Sequence, residues 1–516
     1  MWSRPILTLS AASSAQRRLH GAHTSHLTHR SSHLPIVNKH IAPDGYRRST
    51  VLAGGTFPGP LIQGSKGERF EINVEDRLTD RTMETATSIH WHGIFQKGTN
   101  YEDGVAMVTQ CPIVPGESFK YDFQTFEQTG TYWYHSHLAT QYCDGLRGPL
   151  VIYDPHDPAR HLYDIDDEST VITLADWYHY PAPQQNPGKA ALANSTLING
   201  LGRYKNGPLS ELAVVSVHPG KRYRFRLVSI ACDPNFMFSI DGHNLTIIEV
   251  DGVNHQPLVV DQIQIYAAQR YSFILHADRP TSNYWIRAPP NSTALNTGFV
   301  NATNSAILHY VGASHEEPVT NSTISNPLVE TGLHPLVPMP VPGVAGRGKA
   351  DVNLQLTINL NTTASQWMLV GQTCVGSNCS STPLAALDNT TYTAPPTPVL
   401  LQILNGAHTP QELLPRTNIV ELKRNKTVEV SFVGGSIGAP VVRDVVNTGS
   451  AGDLPTIRFV TDNDGPWFLH CHIDWHLQAG LALVFAEDIP TIAQEKPPVA
   501  WEELCPKFNA SMLNAA

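Results

Sequence analysis

The sequence predicts an all-β protein assembled from several sandwich domains, and three observations carry that prediction. Charged residues are only 16% of the 516 positions while Gly (37) and Pro (39) are plentiful, a mixture that suits short strands joined by many turns. Several runs alternate in strand fashion, among them Arg69–Val74, Arg222–Val228 and Asn353–Ile358. No long stretch repeats with helical period.

Residues 1–34 stand apart as a targeting-like or misassigned segment. Residues 1–33 are rich in Ser, His and Arg and contain no acid. The apolar piece Pro5–Ala12 is short and broken by Ser and Thr, which makes a weak signal-peptide core. The same composition suits a transit peptide. From Pro35 onwards strand-like runs begin, punctuated by turns such as Thr56-Phe57-Pro58-Gly59-Pro60. Composition shifts near Asp154–Glu168, which is acid-rich, and near Asn321–Lys349, which is rich in Pro and Gly, read as linkers. They divide the chain into 35–157, 158–328 and 329–516, each of a size that suits one β-sandwich.

Charge and sequons narrow the function class. Formal net charge is −10, but five of the 35 basic residues lie before residue 44 with no acid beside them, so the remainder carries 30 basic against 45 acidic residues. Such a body repels nucleic acid and anionic membrane, and neither is an expected partner. No apolar run approaches a membrane span. Asn-x-Ser/Thr sequons occur at Asn194, Asn244, Asn291, Asn301, Asn321, Asn361, Asn378, Asn389, Asn425 and Asn509, a density that favours a secreted glycoprotein. The cysteines are Cys111, Cys143, Cys232, Cys374, Cys379, Cys471 and Cys505, and an odd count in a secreted chain leaves one thiol for other work. Cys471, between two histidines, is the odd one out.

Three clusters carry the chemistry: His90-Trp91-His92, His135-Ser136-His137, and His470-Cys471-His472 with His476 shortly after. Side chains alternate across a strand, so the two histidines of each pair share a face, and imidazoles from several strands can converge on adjacent metals. The same alternation sends Cys471 to the opposite face. One strand would then join a metal on Cys471 to metals on His470 and His472 through a few covalent bonds. A thiolate with imidazoles and a weak or absent axial ligand makes a blue-copper site, and His476 is near enough after a turn to join it. A single His-x-His is usually incidental; three, one of them enclosing a cysteine, are not. Structural zinc would call for paired Cys-x-x-Cys motifs, which are missing here. Copper is the expected metal.

These motifs resemble those of the fungal, basidiomycete-type laccases, a group of multicopper oxidases. His90-Trp91-His92-Gly93 with Thr109-Gln110-Cys111-Pro112-Ile113 resembles the first laccase signature, Gly130 through Asp154 the second, and Gly465 through Glu487 the fourth. The resemblance runs from about residue 35 to the C-terminus. It implies three cupredoxin-like Greek-key domains and four coppers: one type-1, one type-2 and two type-3. Carried across by position, it implies that His90 is a type-2 ligand, that His92, His135, His137, His470 and His472 are type-3 ligands, and that Cys471 and His476 are type-1 ligands. Leu481 falls at the axial type-1 position and cannot coordinate, which implies a fairly high potential. Asp103 and Asp474 resemble acids that help deliver protons to reduced oxygen. Asp233 resembles the carboxylate that receives the phenol proton, although an Asp before Pro234 also suits a plain turn. The resemblance further implies disulfides Cys111–Cys505 and Cys143–Cys232, and leaves Cys374 and Cys379 as a possible local bridge.

The chain departs from the family at the third signature, His-Pro-x-His-Leu-His-Gly-His, which should precede Arg443-Asp444-Val445-Val446. Val428 through Gly438 instead runs directly into Ala439-Pro440-Val441-Val442, and no histidine occurs between His408 and His470. An internal deletion near residue 438 would remove one ligand from each kind of copper centre, so fewer than four coppers are expected. Two functions stay open at this stage. One is a laccase that oxidises phenols or aromatic amines by one-electron steps and reduces dioxygen to water, as in lignin or phenolic breakdown. The other is a copper-deficient, inactive member of the same fold, or a copper-binding protein using the remaining ligands. A skipped exon would reconcile the intact remainder with the gap. A secreted monomer is expected.

Overall fold

The computed structural model of the chain describes residues 29–185, 191–291, 302–361, 364–376, 378–415, 418–433, 442–448 and 454–515. The start of the N-terminal segment, the sequon at Asn301 and the junction at Gly438 lie outside these residues.

Among the described residues six sheets form, two in each of the three blocks, the first beginning at His29. The first block pairs a four-stranded sheet (Arg48–Ala53, His29–Ile41, Arg69–Arg77, Ser118–Gln124) with a second four-stranded sheet (Ile62–Ser65, Arg147–Tyr153, Gly130–Ser136, Ile89–His92). The second block stacks a seven-stranded sheet on a five-stranded one, and the third a six-stranded sheet on a three-stranded one. Each alternating run named above lies in a strand: Arg69–Arg77, Arg222–Ser229 and Val352–Asn361. In the Arg69–Arg77 strand, Phe70, Ile72 and Val74 are buried while the residues between them are not, so alternation in sequence becomes one core-facing surface. The first strand already begins at His29, inside the segment set apart by composition, and pairs in parallel with Arg69–Arg77.

The second block has its own core around Phe225, Phe273 and Leu308. The first and third blocks share one: Trp91, Phe119 and Tyr134 pack in the same cluster as Ile403, Phe468, Trp501 and Leu504. Shared burial of this kind fixes the two blocks against each other. The shared core also explains the one helix of length, Leu504–Ala515, which the periodicity does not announce. Its first residues are buried against the first block, the Trp501 indole just before it donates to the Thr109 carbonyl (3.1 Å), and Cys505 is bonded to Cys111. Tertiary anchoring, more than an amphipathic pattern, holds it.

Candidate metal centre

Strand Ile89–His92 runs antiparallel to Gly130–Ser136 with His90 opposite His135 and His92 opposite Trp133. Residues directly opposite in such a ladder share a face. His90, His92 and His135 therefore project together, and His137 follows at the end of its strand. Strand Gly465–His470, paired with Ala482–Glu487, delivers His470 and His472 from the third block onto the same space.

The six imidazoles form one closed group. His92, His135 and His472 are mutual neighbours, with ring centroids 5.2 to 5.8 Å apart. His137 and His470 form a pair with centroids 5.0 Å apart and Nε2 atoms 3.3 Å apart. His90 lies between the two sets, 5.4 Å from both His135 and His137. The ligating nitrogens of His90, His92 and His135 all fall within 4.8 Å of one another. The imidazoles thus fall into a group of three, a pair and a single ring between them.

The donor set fits a bound metal. The Nδ1 atoms of His90, His135 and His470 lie 2.7, 2.8 and 2.8 Å from the backbone carbonyls of Asp103, Ser136 and Cys471. A carbonyl can only accept, so Nδ1 carries the proton and Nε2 is left as a lone pair. The Nε2 atoms of His92, His135 and His472 are buried with no hydrogen-bond partner. A buried polar atom left unpaired costs about 1–3 kcal/mol, and a cation shared among these nitrogens removes that cost. Burial also holds the His92, His135, His137 and His470 imidazoles well below the usual range, and His472 down to about 3. They stay neutral, the form that ligates.

Cys471 directly follows strand Gly465–His470 and lies 3.5 Å (Sγ) from Nδ1 of His476 on the short helix Asp474–Gln478. Cys471 is the one free cysteine; Cys111–Cys505, Cys143–Cys232 and Cys374–Cys379 are bonded. Leu481 is buried, packs in the same apolar cluster as Cys471 and accepts its N–H (3.1 Å). Burial pushes the Cys471 thiol up to about 12 and His476 down to about 4.

Asp103 is buried beside His90, its Oδ1 3.4 Å from Nδ1, and lines a small opening with His90, His137, Phe468 and His470. Asp474 is buried with Oδ2 3.4 Å from the Cys143 sulfur, and burial holds its carboxyl well above the carboxylate range. Asp233 is half-buried, and burial together with the charge of Asp176 pushes its carboxyl up to about 7. The carbonyl of the preceding Cys232 accepts the Asp474 N–H (3.0 Å), which sets the Asp233 loop beside the helix of His476.

Sequence reasoning missed three participants. Trp133 lies under the cluster, stacked at 4.2 Å on His135 and 5.1 Å on His92. Its signal was present, two residues before His135 on the same strand face. Tyr142 places its hydroxyl 3.3 Å from His472 Nδ1. Asp444, just after the junction, approaches His92 Nε2 to 3.6 Å while two hydrogen bonds tie it to Arg270 (2.6 and 2.8 Å). Nothing in local sequence marks that link.

Comparison with known proteins agrees with this geometry. Residues 36–157, 168–313 and 435–490 each match a family described as multicopper oxidase. Laccase-3 of Trametes villosa is 54% identical, with 93% of each chain covered. Laccase-2 of Pleurotus ostreatus is 49% identical, covering 97% of this chain and 96% of that protein. Among solved structures, the laccase from Botrytis aclada superposes with a TM-score of 0.75 at 28% identity, covering 93% of this chain and 92% of that one.

Proposed function

The chain belongs to the multicopper oxidases as a laccase of the basidiomycete type, and on that premise we propose which of its residues hold copper and handle substrate. It is an oxidoreductase that oxidises phenols with dioxygen as acceptor. Nothing in the comparisons favours an inactive homologue.

His90, His92, His135, His137, His470 and His472 hold the oxygen-reducing coppers, and Cys471 with His476 holds the electron-accepting one. Bound copper supplies one-electron chemistry, taking electrons singly from substrate and passing four to dioxygen. The observation that carries the reading is the closed group of imidazoles contributed by two blocks, joined by one strand to a lone thiol 3.5 Å from His476. The number of coppers is fewer than four, because the sequence supplies six cluster imidazoles where the family pattern has eight.

The residues around the metals move protons and exclude water. Each phenol loses one electron and one proton, so four phenols and one dioxygen give four phenoxyl radicals and two waters. Asp233 accepts the phenol proton beside the His476 helix, and aromatic amines fit the same site. Asp103 and Asp474 feed protons to the oxygen side. Trp133 and Tyr142 fill the space against His92, His135 and His472, where water would otherwise stand.

The domain limits are taken as 35–157, 158–328 and 329–516; the paired sheets lie on either side of the two internal limits, while strand His29–Ile41 begins before the first. The chain is read as a secreted glycoprotein monomer; its glycosylation is supported by exposed sequon asparagines, including Asn194, Asn244, Asn291, Asn321, Asn378, Asn389, Asn425 and Asn509. Among the described residues no helix is long and apolar enough to cross a membrane. Breakdown of lignin or related phenolics is the proposed role. The test is oxygen uptake by copper-supplemented protein with a methoxyphenol. Four phenols consumed per dioxygen would support the reading, and uptake with release of hydrogen peroxide would overturn it.

A further inference from the structure

We propose that Asp176 is the positioning residue of the phenol-oxidising site, holding the Asp233 loop in register with the helix that carries His476. The inference rests on the reading of Asp233 as proton acceptor and deepens it. Asp176 is fully buried, at the end of strand Val171–Trp177, and both of its carboxylate oxygens are saturated. Oδ1 accepts the backbone N–H of Cys232 (2.9 Å) and a guanidinium N–H of Arg147 (3.0 Å). Oδ2 accepts the backbone N–H of Asp233 (3.1 Å) and the hydroxyl of Tyr178 (2.8 Å).

Two consecutive amides of the acceptor loop are thus held by one carboxylate. Arg147 is buried too, and its second guanidinium nitrogen donates to the Asp176 carbonyl (2.7 Å), so the charge is matched and its direction fixed. The other end of the clamp reaches the metal side. Tyr178 accepts the indole N–H of Trp475 (3.4 Å), which precedes His476, and the two rings meet edge to face at 5.5 Å. The acceptor loop and the His476 helix therefore hang on one carboxylate and one phenol. A hydrogen bond from a substrate hydroxyl requires Asp233 within a few tenths of an ångström of its place, and loop backbone alone does not supply that precision.

The test compares binding of a methoxyphenol with binding of its O-methyl ether, which has the same shape but no proton to donate. Titration calorimetry on the purified full-length chain under argon, at pH 8, with any copper reduced beforehand by ascorbate, excludes turnover. Unmodified protein should bind the phenol about tenfold tighter than the ether, the scale of one hydrogen bond to a charged acceptor. Asp233→Asn should reduce that preference to about twofold or less, and Asp176→Asn should do the same, because one amide cannot accept from four donors. Tyr178→Phe, which keeps the carboxylate but removes its link to Trp475, should give an intermediate loss and serves if Asp176→Asn does not fold. A general loosening would weaken phenol and ether alike and leave their ratio unmoved. If Asp233→Asn removes the preference while Asp176→Asn, or Tyr178→Phe in its stead, retains it in full, the positioning role is overturned and the acceptor reading stands. If Asp233→Asn itself retains the preference, the acceptor reading falls and this inference with it.

Discussion

The Nε2 atoms of His137 and His470 lie 3.3 Å apart although 333 residues separate them in the chain. Their approach is set by the core shared between the first and third blocks, and Phe468 packs against both rings, with centroids 5.9 and 5.0 Å away. The pair therefore reports directly on whether the two blocks build one metal centre. His470→Ala should weaken copper binding on this side, since losing even an outer hydrogen-bonding partner typically costs about 10–100-fold in metal affinity. The check is copper per chain by elemental analysis, with Phe273→Leu as a control in the second block's own core, whose cluster contains none of the proposed ligands. Equal copper in His470→Ala and unmodified protein would show that the pair does not ligate.

Thiol chemistry separates Cys471 from the other six cysteines. Denatured, metal-free protein should titrate with one thiol per chain, and Cys471→Ser with none, because the remaining cysteines are bonded in pairs. Three thiols in the unmodified chain would remove the Cys374–Cys379 bridge.

Much of this site was legible because strand alternation is a local rule. His90-x-His92 and His135-x-His137 announce their shared face without any knowledge of partners, and the register that sets His90 against His135 only completes it. The strand at Arg69–Arg77 and the free thiol at Cys471 were legible for the same reason: both are decided within a few residues. The Asp176 clamp was not. It joins residues 147, 176, 178, 232, 233 and 475 through hydrogen bonds across all three blocks, and no spacing along the chain encodes such a meeting. The Arg270–Asp444 pair is of the same kind. The helix Leu504–Ala515 escaped because anchoring through Trp501 and Cys505, more than periodicity, decides it.

Substrate oxidation should depend on pH through Asp233. Its carboxyl is pushed up to about 7 by burial and by Asp176, so it holds its proton below that pH and can accept one only above it. Phenol oxidation should therefore rise as pH increases towards about 7, whereas oxidation of a donor that loses no proton should not follow that limb. Asp233→Ala should slow phenols by about a hundredfold and a non-protic donor by no more than about twofold. Steady-state kinetics with both donors across pH 4–9 give the answer, and equal losses on the two would remove Asp233 from the proton path.

The gap before Arg443 sets how much copper the chain can hold. Cys471 with His476 makes a thiolate and one imidazole, whereas strong blue colour comes from a compact arrangement of two imidazoles and a thiolate. The cluster is likewise short, since the shared space holds a group of three rings, a pair, and His90 between them. The chain as it stands should be weakly coloured and hold fewer than four coppers. A chain with a His-Pro-x-His-Leu-His-Gly-His segment and its two flanking strands inserted after Gly438 should turn strongly blue, hold four coppers and take up oxygen faster with a phenol. Both forms should be expressed side by side, with copper counted per chain and oxygen uptake measured at equal protein. If the shorter chain already binds four coppers and turns over as fast as the longer one, then residues present in this sequence supply the ligands assigned to the absent segment, and Asp444, 3.6 Å from His92, becomes the first to replace by Asn.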